Sequence, residues 1–75
     1  MKTYLIKAKA KSISQSGVDI LVLVSINSNI YDAVEYLRDD LPRRHHCEIV
    51  YIEAINFIEE SDDIKVPRVE YLNPV

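Results

Sequence analysis

The chain has 75 residues, 48% of them apolar and 28% charged, with a net charge of −3. That length supports one domain, with too little interior for both a core and a deep, water-excluding active site. The acidic balance leaves no global basic field for nucleic acid. A single cysteine, Cys47, excludes an intramolecular disulfide and suits a reducing compartment. Lysines at 7, 9 and 11 stand where a signal peptide would need an apolar run. The longest apolar run, Ile20 to Val24, is far too short to span a membrane. A cytoplasmic protein without membrane contact is therefore expected.

Residues 3–11 alternate. Tyr4, Ile6, Ala8 and Ala10 fall on one face, and Leu5, Lys7, Lys9 and Lys11 on the other, the period of a half-buried strand. Ser14-Gln15-Ser16-Gly17 supplies turn chemistry around the only glycine. Val18, Ile20, Val22, Val24 and Ile26 then share one face of a second strand, and all are β-branched. The two strands should pair as an antiparallel hairpin.

Asn27-Ser28-Asn29 is a cluster of helix N-cap residues. Ile30, Ala33, Val34, Leu37 and Leu41 follow at helical spacing, with Asp32, Glu35, Arg38 and Asp39 opposite. Pro42 should end this helix after roughly three turns. Asp39 and Asp40 would then lie at the negative end of the helix dipole, offset by Arg43 and Arg44. Residues 48–58 read as a third strand because of their β-branched content. Val50, Ile52 and Ala54 fall on one face and Ile49, Tyr51 and Ile55 on the other; a helix is the competing reading. Glu59-Glu60-Ser61-Asp62-Asp63 makes an acidic break. The tail beyond it, which mixes Ile64, Val66, Val69, Tyr71 and Leu72 with Pro67 and Pro74, could form a short edge strand or an extended arm.

The expected architecture is a single α+β domain of β-β-α-β order, with one helix on a three-stranded sheet and the tail available as a fourth strand. Its ordered core spans about residues 3–58, and residues 59–75 form the acidic break and arm. The second strand, apolar on both faces, belongs in the centre with the lysine-bearing first strand at an edge. The third strand would then run parallel to the second through a right-handed crossover. The alternative places it beside the first strand, antiparallel. One helix covers one sheet face, so Leu5, Leu21, Leu23 and an apolar row of the third strand would remain on the other. The folded-back arm, a second copy of the chain or a foreign partner should cover them.

Arg43-Arg44-His45-His46-Cys47-Glu48 gathers metal-ligand types. On an extended backbone only alternate residues share a side, and no second His/Cys group exists to complete three or four ligands. No metal and no cofactor is expected. Cys47 beside His45 or His46 lacks an orienting group and an oxyanion site, so a buried, inert cysteine and a non-enzymatic protein are expected. Lys7, Lys9, Lys11, Arg43 and Arg44 are the residues that a small nucleic-acid-binding protein would use on phosphate. No RNP-like aromatic pair or GXXG clamp accompanies them. Asp32, Glu35, Asp39 and Asp40 on the helix form a negative surface able to dock on a basic groove of another protein.

The run of "KTYLIKAKAK", "GVDILVLVSI", "SNIYDAVEYLRDD" and "CEIVYIEAINFI" resembles in layout small phage and mobile-element accessory proteins, including some anti-CRISPR proteins. The resemblance covers about residues 3–58 as an order of elements, and no functional residue is carried over by position. It implies a non-catalytic inhibitor or regulator that occupies a surface on a nucleic-acid-targeting host complex. The partner-binding residues would be Asp32, Glu35, Asp39 and Asp40 or Leu5, Leu21 and Leu23.

Overall fold

A computed structural model describes residues 1–14, 16–62 and 66–73. Gln15, Asp63, Ile64 and Pro74, which enter the expectations above, lie outside the described residues. Strands β1 (Lys2–Lys11) and β2 (Val18–Ile26) form the expected antiparallel hairpin. Its register places Tyr4 opposite Val24, Ile6 opposite Val22 and Ala8 opposite Ile20. All six are buried, because strand periodicity turns every second side chain to one face.

Helix α1 (Ile30–His45) begins on Asn29, whose side-chain oxygen accepts from the Asp32 N–H at 3.0 Å. Ala33, Leu37 and Leu41 form its buried stripe, with Ile30, Val34 and Tyr36 packed at the margins. The helix does not stop at Pro42. It runs on to His45. Pro42 removes its own N–H from the ladder and its ring crowds the Arg38 carbonyl four residues back, while the last turn keeps the Arg44–Asp40 pair and the contact of His45 with Tyr71. Arg43, Arg44 and His45 lie at the negative end of the dipole. The Arg44 Nε is 3.2 Å from an Asp40 carboxylate oxygen. His46, at φ 55° and ψ 31°, turns the chain out of the helix in the left-handed region.

With β3 (Glu48–Glu60) and β4 (Arg68–Tyr71), the sheet has the order β3-β1-β2-β4, every neighbouring pair antiparallel. This corrects the preferred strand order: β1 is internal, and β3 lies beside β1, not beside β2. The lysines do not bar β1 from the interior of the sheet. Their side chains stand off the outer face, where each meets a carboxylate, while the backbone pairs on both sides. Helix α1 therefore joins two strands of the same direction across an intervening one, a split β-α-β arrangement.

β3 departs from simple alternation. Its register against β1 slips three times, leaving Val50, Glu53 and Ile58 as extra residues. The residues opposite inward-facing Ala10, Ala8, Ile6 and Tyr4 become Ile49, Ile52, Ile55 and Phe57. Ile49, Ile52 and Ile55 pack against the core, so the expected division of this strand into alternate rows is wrong. Two bulges stretch the period of two into a period of three. The apolar row anticipated on the outer face is broken accordingly: Glu48, Tyr51, Ala54, Asn56 and Glu59 stand opposite the outward residues of β1.

Candidate protein-binding surfaces

The outer sheet face is built by the odd positions of the hairpin. Leu5 stands directly opposite Leu23, and Leu21 is one pair further along, opposite Lys7. All three leucines are half-buried, although α1 lies on the other face. The described C-terminal segment does not cover them. β4 instead extends the sheet, with Val69 opposite Val24 and Tyr71 opposite Val22. Beyond it the Leu72 N–H donates to the Leu21 carbonyl at 2.8 Å. The Asn73 side chain closes the edge, accepting from the Leu21 N–H at 2.9 Å and donating to the Asp19 carbonyl at 2.7 Å. At one end of the leucine patch, Thr3 and Ser25 are buried, with their hydroxyls 2.9 Å apart.

At the other end are the lysines. Lys7 lies 3.6 Å from Glu53, Lys9 lies 2.6 Å from Asp19 and Lys11 lies 3.3 Å from Glu48. The hydrogen bond to Lys9 holds the Asp19 carboxyl below its ordinary range, and the same bond holds the Lys9 ammonium above its own. The lysine row is thus interleaved with acids. Arg43 and Arg44 belong to the last turn of α1, on the layer opposite the outer face, and Arg44 pairs with Asp40. The structure does not gather these five cations into one exposed patch.

The helix acids divide. Asp32, Glu35 and Asp39 are exposed. Asp40 is mostly buried and occupied: one carboxylate oxygen accepts from the Tyr71 hydroxyl at 2.8 Å and the other pairs with Arg44. The His45 ring meets Tyr71 edge-on, with ring centroids 4.5 Å apart. Burial, reinforced by the bond to Asp40, pushes the Tyr71 phenol well above its ordinary range. Asp40 therefore ties the helix to β4. Its role in this tie was not visible in the sequence, because Tyr71 lies 31 positions away.

Two concavities flank the helix. One, of about 530 Å³, is lined by Lys11, Ser12, Ile13, Pro42, His46, Cys47 and Glu48. Here the buried Cys47 thiol donates to the His45 carbonyl at 3.3 Å, and no three His, Cys, Asp or Glu residues converge among the described residues. The other is an apolar groove of about 390 Å³ between the first half of α1 and β3, lined by Ile30, Tyr31, Val34, Glu35, Arg38 and Ile55. In sequence, Ile30 and Val34 belong to the apolar stripe of the helix and Ile55 to one of the two apolar rows of the third strand. The groove exists because one helix cannot reach the outermost strand across its full length. No helix of the described residues is long and apolar enough to cross a membrane.

Comparison with protein-family models, with curated proteins and with solved structures finds no match.

Proposed function

We propose that this chain is a non-catalytic protein-binding module that acts through its surfaces as an inhibitor or regulator of a larger complex. The observation that carries this reading is the half-buried leucine patch, Leu5, Leu21 and Leu23, on the sheet face away from α1. The arm that could have masked it is spent as an edge strand. Apolar side chains clustered on an outer sheet face, rimmed by charge, favour association with another surface. The interleaving of Lys7, Lys9 and Lys11 with Glu53, Asp19 and Glu48 argues against phosphate as the ligand. The layout resemblance to phage accessory proteins directs the choice of partner toward nucleic-acid-targeting host complexes, in a cytoplasmic setting.

The experiment is a target-cleavage assay on purified host effector complexes with and without the protein, alongside a Leu5→Lys, Leu23→Lys double variant. Inhibition by the parent chain, lost in the variant while circular dichroism remains unchanged, is the expected result. Equal inhibition by both removes the leucine patch from the reading. Slowed migration of bare nucleic acid in place of inhibition would replace protein binding with the phosphate reading.

A further inference from the structure

The sheet has two edges, and they are treated differently. One edge is β4, only four residues long, beyond which the Asn73 side chain takes up the β2 backbone. At β3 no described strand follows, so thirteen residues present one side of their backbone to solvent. Such an edge invites another strand unless it is short, bulged or charged. β3 is bulged at Val50, Glu53 and Ile58, but between the last two Ala54, Ile55, Asn56 and Phe57 keep an unbroken register. This regular stretch lies beside the apolar groove, with Ile55 belonging to both. On the same layer Tyr31 is 78% exposed and Phe57 56% exposed.

We propose that the Ala54–Phe57 edge of β3, together with the groove lined by Ile30, Tyr31, Val34 and Ile55, receives an extended peptide segment that alternates apolar and basic residues and adds as a fifth strand. This rests on the reading of the chain as a protein-binding module, and it names a second surface away from the leucine patch.

Two sets of contacts specify the segment. Ile55 and Phe57 stand opposite the core residues Ile6 and Tyr4, so they face the helix layer. The inward side chains of an added strand continue that row over Tyr31 and Val34 and are apolar. On the other layer Glu53 pairs with Lys7 and Glu59 stands opposite Thr3, which places both acids on the outer face flanking the stretch. The outward side chains of the added strand are basic.

Charge also decides against a second copy. β3 contains four glutamates and no cation. Pairing β3 with itself brings acids together without a counter-charge, and facing like charges weaken a strand pair. The molecule already shows the preferred chemistry on its inner edge: β1 alternates lysine with alanine over Lys7–Lys11, and Lys7 and Lys11 meet Glu53 and Glu48 of β3. A peptide of the same character matches the outer edge, where backbone pairing supplies affinity and alternate side chains supply specificity.

The test titrates the isotopically labelled full chain with a blocked peptide of alternating valine and lysine, following amide resonances. A peptide with glutamate in place of lysine serves as the control. The expected shifts lie in residues 54–57 and at Ile30, Tyr31 and Val34, weaken as salt rises and are absent with the control. Tyr31→Ala, at an exposed position that leaves the core intact, should weaken binding by about fivefold or more. Equal binding of the two peptides, or shifts centred on Leu5, Leu21 and Leu23, overturns the proposal. A dimer by light scattering with the 54–57 amides protected from exchange also overturns it, since a second copy then holds the edge. Failure here with leucine-dependent inhibition intact removes this surface alone, whereas failure of both assays removes the protein-binding reading.

Discussion

The Tyr71 hydroxyl donates to an Asp40 carboxylate oxygen across 2.8 Å, and this bond joins the last strand of the sheet to the last third of the helix. β4 has only four residues, and of these Val69 alone is buried. Its attachment therefore depends on a few contacts in addition to its ladder with β2, among them the His45 ring against Tyr71. Losing β4 would replace a four-residue edge with the nine residues of β2.

Tyr71→Phe keeps the ring and removes the donor. Hydrogen bonds to charged groups contribute about 1.5–3 kcal/mol, so this half-exposed example should cost about 1–2 kcal/mol in urea unfolding. The raised phenol pKa adds a pH signature. A group whose folded pKa exceeds its unfolded value stabilises fully below the unfolded value, about 10 for tyrosine, and loses that contribution as pH rises. Parent stability should fall above about pH 10 more steeply than that of Tyr71→Phe. Parallel curves for the two proteins would show that the bond is not formed in solution.

Near the turn end of the hairpin, Asp19 of β2 offers a titration test. Its carboxyl is held down first by the hydrogen bond from Lys9 and then by the charge of that lysine. Carbon-detected NMR should find Asp19 titrating below its unfolded value of 3.8, with its stabilising contribution present above that value and lost as pH falls through the folded one. Lys9→Met should return Asp19 to the ordinary range. An unchanged midpoint in that variant would locate the shift elsewhere.

Leu37 carries the packing of α1 on the sheet, being fully buried in the middle of the helix stripe. Leu37→Ala should cost about 2–5 kcal/mol, from lost transfer energy and the cavity left behind. Since small domains have only about 5 kcal/mol or a little more in reserve, the variant should keep only about 0–3 kcal/mol, read in calorimetry as a Tm lower by about 10 °C or more. A shift of only a few degrees in Tm would mean that the helix settles into the gap.

His46 is the sole described non-glycine residue at positive φ. A residue with a Cβ pays about 1–2 kcal/mol in the left-handed region, whereas glycine does not. His46→Gly should therefore stabilise the protein by about 0.5–1 kcal/mol, with part of the gain offset by the freer unfolded chain. A loss of stability in urea unfolding would assign the imidazole a contact that outweighs the strain.

The hairpin, the helix start and the buried stripe Ala33, Leu37 and Leu41 were legible in sequence because each depends on near neighbours. Alternation decides which side of a strand is buried, and Asn29 caps a helix that begins at the next residue. β3 was harder to read. The spacing of Ile49, Ile52 and Ile55 suits a helix nearly as well as a strand, and it becomes a strand pattern only once bulges are set against the fixed positions of β1. Pro42 misled for a related reason: a local rule against helix continuation was outweighed by cations in the last turn and by the turn at His46.

What the sequence by itself determined was the hairpin, the helix after it, the inward face of each hairpin strand and the lack of a concentrated basic region. Tertiary structure alone decided which strand lies beside which. Strand order depends on how far a sixteen-residue helix carries the chain across the sheet and which edge is open when it returns. That order, β3-β1-β2-β4, neutralises the lysines on acids brought from elsewhere in the chain, sets the four-residue β4 at one edge and leaves the thirteen-residue β3 open at the other. The leucine patch could be foreseen from alternation alone. The open edge and its groove could not, because they arise from the distance between a helix and a strand that the sequence does not place together.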